Sequence, residues 1–146
     1  TFEAIDAVRG LTNRSSGKMG LAMAQAALDA GAQVTLICGP ICLPCPPVDK
    51  QVNVSSAEEM FAAVKNEIAN NDIFISVAAV ADYRPAETYP HKLKKEAEVL
   101  TLTLVPNPDI LRYVASLPHA PFCVGFAAET EQIEQYAESK RRDKKL

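Results

Sequence analysis

The feature that most constrains this chain is its alternation between two apolar periods. Residues 17–30 are rich in Ala and Met, with helical spacing at Met19, Leu21, Ala22, Ala26 and Leu28, and Gly31 follows where a left-handed stop is wanted. Residues 33–38 then bring a short β-branched run, Val34-Thr35-Leu36-Ile37, which reads as a buried strand. The pattern repeats. Residues 51–54 read as a shorter strand, and Ser56-Ala57-Glu58-Glu59 is a capping box opening a helix to about Asn70. Residues 72–77 are again a strand. Residues 79–99 are a long polar loop with no periodicity, and residues 100–105 alternate Thr with aliphatics as a half-exposed strand does. Asn107 reads as an N-cap with Pro108 at the first helical position, for a helix to about Leu117. Residues 122–126 are a strand, and Thr130 caps a final helix to the end. Strands separated by helical segments predict an α/β fold, a Rossmann-like parallel sheet flanked by helices on both faces.

Size and charge then narrow the function. A chain of 146 residues suits one domain, 1–146, and can bury a core without staples. The net charge of −3 argues against a double-stranded nucleic-acid binder, which would carry a basic face. No apolar run approaches the roughly 20 residues of a membrane span, and no segment resembles a signal peptide. The expected setting is cytoplasmic, with no nucleic-acid or membrane partner. The chain starts at Thr1 and stops in Lys144-Lys145-Leu146, so it reads as a domain trimmed at both ends.

Cys38, Cys42 and Cys45 spell C-x3-C-x2-C, a spacing that can converge on an iron–sulfur cluster. Against that, Cys38 closes a buried strand, and Pro40, Pro44, Pro46 and Pro47 stiffen the loop beyond it. A cluster and a zinc site stand beside the plainer reading of incidental reduced thiols, Cys123 included.

In parallel sheets ligands bind outside the carboxyl ends of the strands. Thr12-Asn13-Arg14-Ser15-Ser16-Gly17-Lys18-Met19-Gly20 places small hydroxyl and Gly residues before a helix, where free N–H groups suit a phosphate or carboxylate. The same residues also suit plain helix capping. The segment is neither a Walker A loop, since Met19 follows Lys18, nor a GxGxxG turn. No acid ends the second strand to hold a ribose. In Ala78-Ala79-Val80-Ala81-Asp82-Tyr83-Arg84-Pro85, Asp82 could hold Mg²⁺ and Arg84 a phosphate, or the segment is a solvated turn. Lys92-Leu93-Lys94-Lys95 could neutralise a polyphosphate from a lid-like loop, or is an exposed charge run. Lys140 and Lys144, one turn apart, could reach a nucleotide or simply be solvated. His91 and His119 have no nucleophile at a recognisable spacing and receive no catalytic role.

These segments, with Arg9, Gly39-Pro40, Asn107-Pro108-Asp109-Ile110 and Gly125-Phe126-Ala127-Ala128-Glu129-Thr130, occur in an order that resembles the phosphopantothenate–cysteine ligase family. That family forms the second half of the bacterial bifunctional coenzyme A biosynthesis flavoprotein. The resemblance covers nearly all of the chain. Ala7 departs from it, standing where the family usually has Pro. The cysteines fall in a loop that the family fills variably. The family's earliest strand and the segment after Leu146 lie outside the chain.

The resemblance implies a ligase that joins 4′-phosphopantothenate to cysteine in two steps. CTP first activates the carboxylate as an acyl-cytidylate, with release of pyrophosphate, and the cysteine amine then displaces CMP. It implies Asn13 at the acyl phosphate, Arg9 supporting that corner, and Ser15, Ser16, Gly17 and Ala79 around the substrate. It implies Lys92 beside the triphosphate and Asp82 as the Mg²⁺ carboxylate within the CTP site. Ser76, Asn107, Pro108, Asp109, Ile110, Phe126, Lys140 and Lys144 are the further nucleotide neighbours. It also implies a homodimer, with the strand near residues 100–105 suited to pairing across a two-fold, and FMN only where a decarboxylase domain precedes this one. Two rivals are an NAD(P)-dependent reductase, which would bind nicotinamide, and a non-catalytic nucleotide-binding module, which would bind CTP without releasing pyrophosphate.

Overall fold

A computed structural model describes residues 1–95, 98–126 and 133–144; the side chains of residues 133–137 and 140 are outside that description. In chain order the elements are β1 (Phe2–Ala4), β2 (Gly10–Thr12), α1 (Lys18–Asp29), β3 (Thr35–Cys38), β4 (Lys50–Asn53), α2 (Ala57–Glu67), a 3-10 turn (Ile68–Asn70), β5 (Ile73–Ser76), β6 (Tyr83–Pro85), β7 (Leu104–Pro106), α3 (Ile110–Ala115), β8 (Phe122–Gly125) and α4 (Ile133–Lys144). The described strands pair two by two. β3 runs parallel to β4 and β5 parallel to β8, while β1 with β2 and β6 with β7 are antiparallel. The chain divides into two compact units, residues 1–63 with 78–108 and residues 64–77 with 109–146.

In the first unit, β1 and β2 form a hairpin with Glu3 opposite Leu11. Its turn closes because the Ile5 and Asp6 N–H groups both donate to the Arg9 carbonyl, at 2.8 and 3.1 Å. This hairpin has no alternating apolar pattern, which is why the sequence hid it. Helix α1 forms from strong helix formers. It opens after Gly17 at φ 74° and ends at Ala30, with Gly31 at φ 82° just beyond, the stop expected there. β3 and β4 pair from Thr35 with Lys50 to Cys38 with Asn53. Their crossover is a proline-rich loop, because proline lacks the N–H that a helix or ladder would need. The N-terminus of α2 carries the expected box with its return bond shifted by one residue: the Glu59 N–H donates to Ser56 Oγ at 3.2 Å, and the Glu59 carboxylate accepts from the Ser55 N–H, in place of the Ser56 N–H, at 2.7 Å. A third cap was not legible. Glu3, buried in β1, accepts the Ala57 N–H at 3.0 Å.

The segment expected to be an unstructured loop contains β6. Tyr83 pairs with Pro106, and the Ala86 N–H extends the ladder to Thr103 O at 2.9 Å. The partner strand accordingly occupies Leu104–Pro106 and not residues 100–105. Pro85 is tolerated because β6 is an edge strand.

In the second unit, β5 and β8 pair from Ile73 with Phe122 to Ser76 with Gly125. Helix α3 packs on β8 and α4. Ile110, Leu111 and Val114 are buried at the spacing of one helix face, and Val64 and Ile68 are buried too. The cap of α3 differs from expectation. Asp109 is the N-cap, its carboxylate accepting the Arg112 N–H at 3.0 Å. Asn107 does not cap, because its side chain is committed elsewhere. The cap expected at Thr130 lies outside the described residues.

Candidate functional site

A cleft of about 90 Å³ in the first unit gathers much of what the sequence singled out. Asn13, Ser15, Gly17, Cys38, Gly39 and Ala79 lie on its wall. The polar segment after β2 and the small residues after position 77 thus face one space. Asn13 joins the two walls: its Nδ2 donates to Val80 O at 3.1 Å, with Ala79 O at 3.4 Å. Gly17 is required twice over. It holds a positive φ, and a Cβ there would sit 2.7 Å from Ile41 Cγ2. Ser15 Oγ accepts from the Gly17 N–H and Ser16 Oγ from the Lys18 N–H, both at 3.4 Å. Ser15 lines the cleft, and Ser16 is absent from its wall. The first backbone donor of α1 to find an intrahelical acceptor is the Leu21 N–H, on Gly17 O at 3.1 Å. Helix geometry leaves the Met19 and Gly20 N–H groups without an intrahelical acceptor, and those two suit an anion.

Arg9 lies at the hairpin turn, where it pairs with Asp6. Arg9 Nε donates to Asp6 Oδ2 at 3.0 Å and Arg9 Nη2 donates to the same oxygen. Arg9 Nη2 also donates to Leu93 O at 3.0 Å, so this arginine reaches the lysine loop. Lys92, Lys94 and Lys95 are exposed there. Asp6 is buried, and the Arg9 guanidinium holds its carboxyl well below the usual carboxylate range. The Arg9 and Val8 bonds to Asp6 are local, but its tie to the lysine loop is not legible in the sequence, since Leu93 stands 87 positions away.

Asp82 presents an exposed side chain, while its carbonyl accepts the Asn107 N–H at 2.8 Å. Asn107 Nδ2 donates to Ala81 O at 2.8 Å, and Arg84 Nη1 donates to Asn107 Oδ1 at 3.3 Å. Asn107 is therefore a bridge between loops, with half-buried Pro108 beside it. Arg84, a candidate phosphate ligand by sequence, is committed to Pro106 O at 2.7 Å and to Glu58 at 2.9 Å.

In the second unit, Ser76 O accepts the Phe126 N–H at 3.2 Å, and the Phe126 ring is exposed. Asp109 is both the α3 cap and the partner of Lys144, at 3.1 Å. Ile110 is buried, so its side chain serves the core. Lys140 is on α4, with its side chain outside the described residues. Residues 127–130 are outside them as well.

Of the three clustered cysteines, Cys38 is buried and Cys42 exposed, and Gln51 Nε2 donates to Cys45 Sγ at 3.4 Å. Burial, and then Cys45 beside it, pushes the Cys38 thiol up. A raised thiol is a poor nucleophile and metal ligand. Among the described residues no group of His, Cys, Asp and Glu is placed to hold a metal by itself.

A mixed α/β domain with parallel strand pairs, and a cleft between a helix-opening loop and a small-residue loop, defines the class. The chain belongs to the DNA/pantothenate metabolism flavoprotein C-terminal domain family, whose model matches residues 1–146. It is 54% identical to the coenzyme A biosynthesis bifunctional protein CoaBC of Vibrio vulnificus and 52% identical to that of Escherichia coli, over its whole length in both cases. The Bacillus subtilis protein of the same name is 45% identical. The chain spans 37% of the length of the Vibrio and Escherichia relatives. Its structure matches a crystal structure of a CoaBC C-terminal domain with a TM-score of 0.86 at 42% identity, covering all of this chain and 69% of the other. A Streptococcus pneumoniae DNA/pantothenate metabolism flavoprotein shares the fold, with a TM-score of 0.85 at 21% identity. Among the described residues no helix is long and apolar enough to cross a membrane.

Proposed function

We propose that this domain acts in coenzyme A biosynthesis as a CTP-dependent ligase, joining 4′-phosphopantothenate to cysteine through an acyl-cytidylate. The observation that carries the reading is the bridge from Asn13 to Val80 across the cleft, which unites the two segments the ligase resemblance assigns to the substrate.

The residues suit the chemistry. A carboxylate attacking the α-phosphate of CTP meets a repelling charge. Lys92 lies exposed beside a tethered point of its loop and can offset that charge. Mg²⁺ would add charge neutralisation on the phosphates. Magnesium is commonly held by one or two carboxylates plus phosphate oxygens and water, and an exposed Asp82 fits that donor set. The Met19 and Gly20 N–H groups in the first turn of α1, with Ser15 and Ser16 beside that turn, suit the anionic substrate. When the amine attacks, negative charge develops on the acyl oxygen. The Asn13 carboxamide has two N–H donors and no titratable proton, so by releasing its longer bond, to Ala79 O at 3.4 Å, it can serve that oxygen while staying neutral and keeping Val80. Arg9, off the cleft wall, ties the hairpin turn to the lysine loop through Asp6 and Leu93, and its support of the acyl-phosphate corner belongs to the same proposal. Ser76, Asn107, Pro108, Asp109, Ile110, Phe126, Lys140 and Lys144 are the proposed nucleotide neighbours. Several would act through backbone groups, since Ile110 is buried and Asn107 is already bridged. A reductase reading is disfavoured: β3 ends in a buried cysteine, where a ribose-binding acid would be needed. Homodimerisation in the cytoplasm belongs to the same proposal, and FMN only where a decarboxylase domain precedes this one.

The test is pyrophosphate release that needs both 4′-phosphopantothenate and CTP. Release with ATP at the same efficiency would refute the assignment of CTP, and release without phosphopantothenate would refute the ligase.

A further inference from the structure

The buried carboxylate of Asp6 is the hub of a clasp that spans the first unit. It accepts the Val8 N–H at 2.9 Å, the Arg9 N–H at 2.8 Å and the Leu93 N–H at 3.0 Å, besides both guanidinium donors of Arg9. Arg9 Nη2 then donates to Leu93 O at 3.0 Å. One ion pair thus grips both the N–H and the C=O of a single loop residue. The neighbouring backbone is tied to the same hairpin, Tyr89 N–H to Ile5 O at 3.0 Å and Thr88 Oγ1 to Ala4 O at 3.2 Å. Lys92 and Lys94 flank the gripped residue and are exposed.

We propose that Asp6 is a positioning residue for the phosphate-binding lysine loop, acting through Arg9 and the Leu93 backbone. The inference rests on the proposed role of Lys92 at the triphosphate. A lysine ammonium at the end of a four-carbon stem gains little from charge alone in water. It stabilises a developing charge when its backbone is already held, so that no reorganisation is needed at the moment of reaction. Asp6 supplies that hold without touching substrate. Loss of its charge would leave Arg9 without its partner and the Leu93 N–H without an ionised acceptor.

Two variants of the whole protein test this. Asp6→Asn removes the charge. Leu93→Pro removes the gripped N–H and leaves the Asp6 and Arg9 side chains intact, while also stiffening the backbone at Lys92. Trypsin cleavage after Lys94 and Lys95 reads loop release, with cleavage after Lys18 and Lys65 as the control for unfolding. Rapid-quench measurement of acyl-cytidylate formation against CTP concentration reads function. We expect faster cleavage confined to the loop in both variants. The first step at subsaturating CTP should slow by about tenfold to a hundredfold, since a misplacement of the order of 1 Å can cost roughly that much. Displacement of CMP by cysteine should keep its rate in Leu93→Pro, where the Asp6–Arg9 pair is intact. Unchanged loop cleavage in Asp6→Asn overturns the proposal, as does a loosened loop with unchanged CTP dependence. Should Asp6→Asn loosen the control sites too, Leu93→Pro decides: a slow first step supports the clasp, and wild-type behaviour overturns it. The underlying reading fails separately, in wild-type protein that releases no pyrophosphate from CTP.

Discussion

Gly17→Ala offers a magnitude that can be worked from the backbone. Gly17 and Gly31 bracket α1, both with positive φ, at 74° and 82°. A Cβ at either site meets the left-handed penalty, about 1–2 kcal/mol, less the gain of about 0.4–1 kcal/mol from a stiffer unfolded chain. The two sites then diverge. At Gly31 a new Cβ has nothing within 4 Å, whereas at Gly17 it lies 2.7 Å from Ile41 Cγ2. Ile41 is β-branched and stiff at χ1, so relief requires movement of a loop, and overpacking of this kind costs about 1–3 kcal/mol. Gly31→Ala should therefore cost about 1 kcal/mol and Gly17→Ala about 2–4 kcal/mol. With a urea slope of about 2 kcal/mol per molar, the midpoints should fall by about 0.5 M and 1–2 M. Parallel urea titrations followed by circular dichroism measure the difference. Equal midpoints for the two variants would refute the steric account of Gly17, and with it the close approach that shapes the cleft wall.

Three further outcomes are expected elsewhere in the chain. Lys92→Gln should slow acyl-cytidylate formation by about 2–4 kcal/mol of barrier, while Asn13→Asp should leave that intermediate accumulating in the presence of cysteine; single-turnover quenching separates them, and a block at the same step in both would sink the division of roles. Asp109→Ala removes the α3 cap and the Lys144 partner together, and should cost about 0.5–2 kcal/mol on the urea scale; no change would mean that the cap is replaced. Glu138 pairs with Arg141 at 2.8 Å and Arg142 at 2.9 Å, and its hydrogen bonds to Arg141 and then Arg142 bring its pKa from the ordinary 4.5 down to about 2. Its contribution to α4 is present above pH 4.5 and should fade as pH drops toward 2, as an NMR titration of the Glu138 carboxyl would record; a midpoint at the ordinary value would refute the pairing.

What the sequence determined by itself is local. Gly31 stops α1 because only a residue free of Cβ strain takes that φ cheaply, and the Ser56–Glu59 box opens α2 because its donors and acceptors are four residues apart or fewer. The β-branched runs at β3 and β5 were legible for the same reason, since side-chain stiffness acts within a few residues, and β8 showed as a short apolar run. The ordered motifs of a family were legible too, because each is a short string. Tertiary structure decided the rest. Asn107 looks like a cap, but Ala81 and Arg84 claim its side chain, and the capping duty passes to Asp109. Tyr83-Arg84-Pro85 has no strand signature, and it becomes β6 only because β7 supplies a ladder from across the loop. Glu3 and Asp6 look like solvated acids, yet both are buried: Glu3 accepts an N–H 54 positions away, and Asp6 adds the Leu93 N–H, 87 positions away, to its local bonds from Val8 and Arg9. A buried carboxylate is tolerable only when its partners are in place. Ala57 and Leu93 come from distant segments, so the chain must fold before the burial of either acid can be read.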